Sequence, residues 1–150
     1  MNVYRISKCK FINDLKGTGA AAYGGRWHSK GIYVLYTSEA ASLALLESVV
    51  HISNIAASGY CLLCLEIPDN NIKELKPDDL PEKWDENPPA DLLKSIGDKF
   101  VRENKFLALK LPSVILPQES NYLLNPNHPD FINVTVLYSQ PITIDVRLVG

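Results

Sequence analysis

Apolar and polar positions alternate along the chain in short strand-like runs, interrupted by two stretches of helical spacing. Residues 3–6 read as a first strand, carried by Val3 and Ile6. The run Lys16-Gly17-Thr18-Gly19-Ala20-Ala21-Ala22-Tyr23-Gly24-Gly25 reads as a loop. Its two glycine clusters permit positive φ and close approach of backbone N–H groups to a ligand. β-Branched and aromatic content predicts a strand over 31–37. Ser38 then reads as a helix N-cap, with Glu39 favoured in the first turn by the helix dipole. That helix is expected to run to about His51. It is apolar on nearly every face, which predicts a helix buried in the middle of the domain. Positions 40, 43, 44, 47, 50 and 51 share one stripe.

The second half repeats the mixture. Residues 60–67 form a strong strand pattern, stopped by Pro68-Asp69-Asn70. A polar, proline-studded connection over 76–89 reads as a surface loop or lid, because both flanks carry core-like residues. Residues 91–103 have helical periodicity, with Leu92, Leu93, Ile96, Phe100 and Val101 as the buried set. Strands are expected over 106–111 and 114–116, separated by Pro112-Ser113. A turn-rich loop at 125–129 precedes closing strands over 134–138 and 142–146. Mixed strands with a few helices predict α+β in one compact domain, residues 1–150, rather than a regular βαβ alternation.

Length and charge narrow the classes. A chain of 150 residues supports one ordinary core. A formal charge of −2 supplies no basic field for gripping nucleic acid. No apolar run approaches the roughly 20 residues needed to span a bilayer. Three cysteines, an odd number, behind an N-terminus that reads as a strand, point to a reducing cytoplasm. Cys61 and Cys64 form C-x-x-C inside a predicted strand, where residues three apart point to opposite faces. Small apolar core residues are therefore favoured over a metal or redox site. His28, His51 and His128 have no metal-ligand spacing; only His28, beside Arg26, remains a site candidate.

Chemistry concentrates on a few polar residues in apolar surroundings. Glu47 is the only carboxylate in the apolar stretch 40–50, and its burial among leucines and valines calls for a cation or hydrogen-bond donors. Arg26, in Gly24-Gly25-Arg26-Trp27, is the nearest cation along the chain. Ser113 lacks a G-x-S-x-G elbow, so a turn serine capping backbone groups and a functional serine stand equally open. Arg5 and Arg26 suit phosphate oxygens, Tyr36 suits stacking on a ring, and a single acid suits a developing cation. Together they fit a phosphate-containing nucleotide held without metal.

Several segments then resemble the RES domain family. They are Tyr4-Arg5; Tyr23-Gly24-Gly25-Arg26-Trp27-His28-Ser29-Lys30-Gly31; Val34-Leu35-Tyr36-Thr37-Ser38; Leu45-Leu46-Glu47; Gly97-Asp98; Leu111-Pro112-Ser113-Val114-Ile115-Leu116-Pro117; and Asn121 through Phe131. They follow in order over nearly the whole chain. The family is named for an arginine, a glutamate and a serine, which Arg26, Glu47 and Ser113 resemble. His28 departs from the family pattern, where asparagine is expected.

The resemblance implies a fold similar to ADP-ribosyltransferases of the diphtheria-toxin kind. It also implies a bacterial type II toxin that depletes NAD by phosphorolysis or hydrolysis of the nicotinamide–ribose bond. NAD would be the substrate, inorganic phosphate a possible co-substrate, and no metal would be needed. Arg26, Glu47 and Ser113 would be catalytic; Arg5, Arg26, Tyr36, Glu47, Ser113 and Asn121 would bind NAD. The implied partner is an Xre-type helix-turn-helix antitoxin that blocks the active site. DNA would be reached only through that antitoxin, no membrane is involved, and a homodimer could form within the complex. The alternatives are a protein ADP-ribosyltransferase toxin and a catalytically silent nucleotide-binding regulator.

Overall fold

A computed structural model describes residues 1–52 and 58–149. Its frame is one seven-stranded mixed sheet, ordered β4-β5-β6-β2-β1-β3-β7. The strands are β1 (Asn2–Lys8), β2 (Leu35–Ser38), β3 (Tyr60–Glu66), β4 (Ile72–Glu74), β5 (Ala108–Pro112), β6 (Ser120–Leu124) and β7 (Thr135–Ile142). The helices are α1 (Thr18–Tyr23), α2 (Ala41–Val49) and α3 (Lys94–Glu103). All strand pairs are antiparallel except β4 with β5. This is the expected α+β architecture.

Side-chain alternation builds a core on each face. Val3, Leu35, Leu63, Leu65, Tyr122 and Leu124 pack on one face with Ile12 and Leu107. Leu109, Leu111 and Leu123 point to the other, where Trp27, Leu80, Trp84, Leu93 and Phe100 join them. The polar connection 76–89 is therefore anchored in the second core by Leu80 and Trp84, and does not float free. β1 and β2 share one register position, Tyr4 with Ser38, whereas β1 pairs with β3 along its full length.

Five expectations are corrected. Ser38 ends β2 instead of capping a helix; α2 begins after Ala40, in extended conformation, with no side-chain cap. α2 is half-buried, with only Leu43 and Ala44 inside and Val50 61% exposed, because it lies along one face of the sheet. Its all-round apolar composition overstated its burial. Part of the glycine-rich loop forms the six-residue α1. Residues 114–116 bend and form no strand, while β6 and the short β4 escaped the pattern. β7 runs through Pro141 and ends at Ile142, and the expected strand over 142–146 does not form, since Val146–Val149 are a 3-10 turn; an edge position tolerates the proline because its missing N–H is not needed there.

The cysteines also differ from expectation. Cys9 and Cys61 form a disulfide, placed by the Cys9 backbone N–H donating to Gly59 O at 2.8 Å. Cys64 is free and buried. No helix among the described residues is long and apolar enough to cross a membrane.

Candidate active site

Glu47 sits on α2 facing the start of β6 and the end of β5. Its Oε1 accepts from Ser113 Oγ at 2.7 Å and from Asn121 Nδ2 at 2.6 Å. Asn121 Oδ1 in turn accepts from Ser38 Oγ at 2.7 Å. Ser38 and Asn121 are register partners across β2 and β6, so backbone pairing fixes this link. The result is a chain of four side chains from three strands' ends and one helix. Among the described residues no donor reaches Glu47 Oε2, which leaves one oxygen for a ligand.

Ser113 is fully buried. Its Oγ also accepts the Ile115 and Leu116 backbone N–H groups, both at 3.1 Å. The serine therefore caps a turn and also donates to the Glu47 carboxylate. Its proton is directed at the carboxylate and its side chain has no exposure.

Arg26 is not the partner of Glu47. Its Nη1 donates to the Trp84 carbonyl at 3.1 Å and the Glu86 carbonyl at 2.8 Å. Partial burial lowers its pKa, opposed by the Glu47 and Asp85 carboxylates and by Tyr36. The guanidinium is thus near Glu47 electrostatically while tied to the 76–89 connection.

Tyr36, half-buried, and His28, buried, form a hydrogen-bonded pair. His28 Nδ1 stands 2.6 Å from the Tyr36 hydroxyl and its Nε2 2.8 Å from Ala20 O. A carbonyl accepts only, so Nε2 carries hydrogen and donates to Ala20 O, while Nδ1 shares a hydrogen bond with the Tyr36 hydroxyl. Burial raises the Tyr36 pKa well above its ordinary value, opposed by a backbone hydrogen bond at Trp27. Gly25 is required beside this pair: a Cβ there would meet Tyr36 Oη at 2.9 Å and His28 Cε1 at 3.0 Å.

Arg5 is not brought to this cluster. It pairs with Leu63 and donates to Ile12 O at 3.3 Å, both on the opposite face of the sheet. Burial lowers its pKa, opposed by Asp14. An open groove of about 570 Å³, lined by Leu15, Lys16, Tyr33, Pro126, Asn127 and Phe131, touches none of the predicted residues. Its size alone carries no chemistry, whereas the Glu47 cluster has oriented acid, amide and hydroxyl groups. Ser38 was missed as a site residue because its helix-cap reading concealed its link to Asn121.

The RES domain model matches residues 2–146. A "Toxin Res" of Yersinia enterocolitica is 38% identical over 133 residues, covering 87% of this chain and 88% of that protein. A "Prs ADP-ribosylating toxin" of Sphingobium sp. is 37% identical over 123 residues, covering 79% and 76%. The chain belongs to the RES domain family. Its fold is that of a chain in the crystal structure of the M. tuberculosis MbcT–MbcA toxin–antitoxin complex, at TM-score 0.77 and 16% identity, over 95% of this chain and 84% of that one.

Proposed function

We propose that this protein is the toxin of a toxin–antitoxin pair and consumes NAD at the nicotinamide–ribose bond. The observation that carries the reading is the half-buried Glu47 carboxylate. Ser113 and Asn121 hold one of its oxygens, and Arg26 and Tyr36 lie in the same region. Breaking the C1′–N bond leaves positive charge on the ribose and releases neutral nicotinamide with the bonding electron pair. A fixed carboxylate stabilises that charge more in the transition state than in the ground state, without needing to reorient. Arg26 supplies the cation for the pyrophosphate or for an attacking phosphate. Ser113, Asn121 and Ser38 keep the acid in place. No metal enters this scheme.

Phosphate oxygen attacking C1′ would give an ADP-ribose phosphate; water would give ADP-ribose and a proton. A protein side chain as acceptor is the second reading, favoured by the likeness to the ADP-ribosylating toxin of Sphingobium. The partner would be an antitoxin, by analogy with the structural neighbour, a chain in a toxin–antitoxin complex. We assign it an Xre-type DNA-binding domain and a segment covering Glu47; the toxin itself, at −2, would reach DNA only through it.

The test is purified chain, free of antitoxin, incubated with NAD with and without phosphate and resolved by mass spectrometry. Nicotinamide with phosphorylated ADP-ribose makes it a phosphorylase, and ADP-ribose without phosphate dependence a hydrolase. Label transferred to protein supports the second reading. No NAD loss and no label from a folded sample overturns both.

A further inference from the structure

We propose that Asp98 on α3 is a positioning residue for the Arg26-bearing turn, an inference that rests on the role given to Arg26 above. The turn closes through Gly25 N–H donating to His28 O at 3.0 Å, with Gly25 and His28 forming an isolated antiparallel bridge. Arg26 and Trp27 stand at its tip. Trp27 is buried in the second core, and His28 is fixed to Tyr36 and Ala20. The remaining anchor is Ser29. Its backbone N–H donates to Asp98 Oδ1 at 2.8 Å and its Oγ to Asp98 Oδ2 at 2.6 Å.

The chemistry of this anchor is demanding. Asp98 is 8% exposed, and no ion pair among the described residues includes it. A buried carboxylate without a cation is costly, and apolar packing would serve stability as well. Here both oxygens face donors from one residue of the turn. An amide in its place would set an N–H group against one of them. The helix backbone also lies directly under the turn, since a Cβ on Gly97 would collide with Trp27 O. Gly97 brings α3 close, and Asp98 fixes where the turn rests on it. Arg26, adjacent to that contact, then has a defined origin for reaching both the Trp84 and Glu86 carbonyls and the region of Glu47.

The test is a double-mutant cycle with an independent structural readout. Asp98→Asn should lower NAD-consuming kcat/KM by about tenfold in the native background and by less than about twofold in Arg26→Lys. Ser29→Ala, which removes only the hydroxyl bond, should show the same coupling at smaller amplitude and serves if Asp98→Asn does not fold. The side-chain Nε–H resonance of Arg26, followed by NMR in 15N-labelled protein, should be distinct in the native chain. It should move towards solvent-exposed arginine values in either variant. Additive kinetic losses with an unmoved Arg26 resonance overturn the proposal and leave Asp98 a fold residue. A native chain without NAD turnover, but with the Arg26 resonance shifted in the variants, overturns the proposed function and supports the positioning role.

Discussion

Ser113 and Glu47, 66 residues apart, meet through a 2.7 Å hydrogen bond in which the hydroxyl donates to the carboxylate. The same hydroxyl accepts two backbone N–H groups, so the acid is tied to a turn that cannot shift without breaking three bonds. Ser113→Ala should therefore cost about 1–3 kcal/mol of stability. It should lower NAD turnover by roughly tenfold to a hundredfold, through misplacement of the acid. Glu47→Gln should abolish turnover while the protein still unfolds cooperatively. Equal inactivity of the two variants, at native stability, would instead make the serine a reacting group. Thermal unfolding and steady-state kinetics on both variants decide.

Asn121 offers a second handle on the same carboxylate. Its amide nitrogen lies 2.6 Å from Glu47 Oε1 and its oxygen accepts from Ser38. Asn121→Asp would set a like charge against Glu47 and also leave the Ser38 bond intact. It is expected to lose more activity than Asn121→Ala, because repulsion displaces the acid whereas deletion only frees it. Comparing kcat for the two variants at neutral pH tests this; equal losses would place Glu47's orientation wholly with Ser113.

Legibility in the sequence followed local signal. β1, β3 and α3 were readable because dense apolar runs or clean helical spacing coincide with local propensity. β6 was not, since its start, Ser120-Asn121, is polar where a strand would ordinarily show alternation. Val114, Ile115 and Leu116 have strand composition, but Ser113 Oγ takes the N–H groups of the last two, and the segment turns. Of the two compensations open for Glu47, a cation or hydrogen-bond donors, the structure supplies the donors, and nearness along the chain pointed only to Arg26. The partners of Glu47 lie 66 and 74 residues away, and strand register, which composition does not encode, brings them there. Glu47, Arg26 and Ser113 stand out by residue chemistry, the family resemblance groups them as one set, and their geometry required the fold.

Burial of the Tyr36 phenol gives a pH prediction. The fold favours the neutral phenol, raising its pKa. That stabilisation is complete below the unfolded-chain value of about 10 and is lost as pH rises through the higher folded value. Native stability should accordingly fall with increasing pH from about 10 upward. Tyr36→Phe should remove this component and flatten the curve, while losing the bond to His28. Denaturant midpoints for both proteins across the alkaline range measure it. An equally steep fall in Tyr36→Phe would assign the alkaline loss to other groups.

Arg26 holds the 76–89 connection through the carbonyls of Trp84 and Glu86. Trp84 packs against Trp27 with ring centroids 6.5 Å apart, so its side chain remains anchored when the arginine is removed, whereas Glu86 is exposed and has no comparable apolar anchor. Arg26→Ala should therefore speed amide hydrogen exchange over residues 85–89 by about tenfold, with little change around Leu80 and in the sheet. Arg26→Lys should give an intermediate effect, because a single ammonium on a flexible stem replaces the planar fork. An anion that competes for the guanidinium should reproduce the effect in the native chain. Saturating phosphate, at constant ionic strength, is then expected to raise exchange in 85–89 and leave Arg26→Ala unchanged. Exchange indifferent to the substitution would mean that the connection is held by Trp84 and Leu80 alone and that Arg26 is free to serve the ligand without moving it.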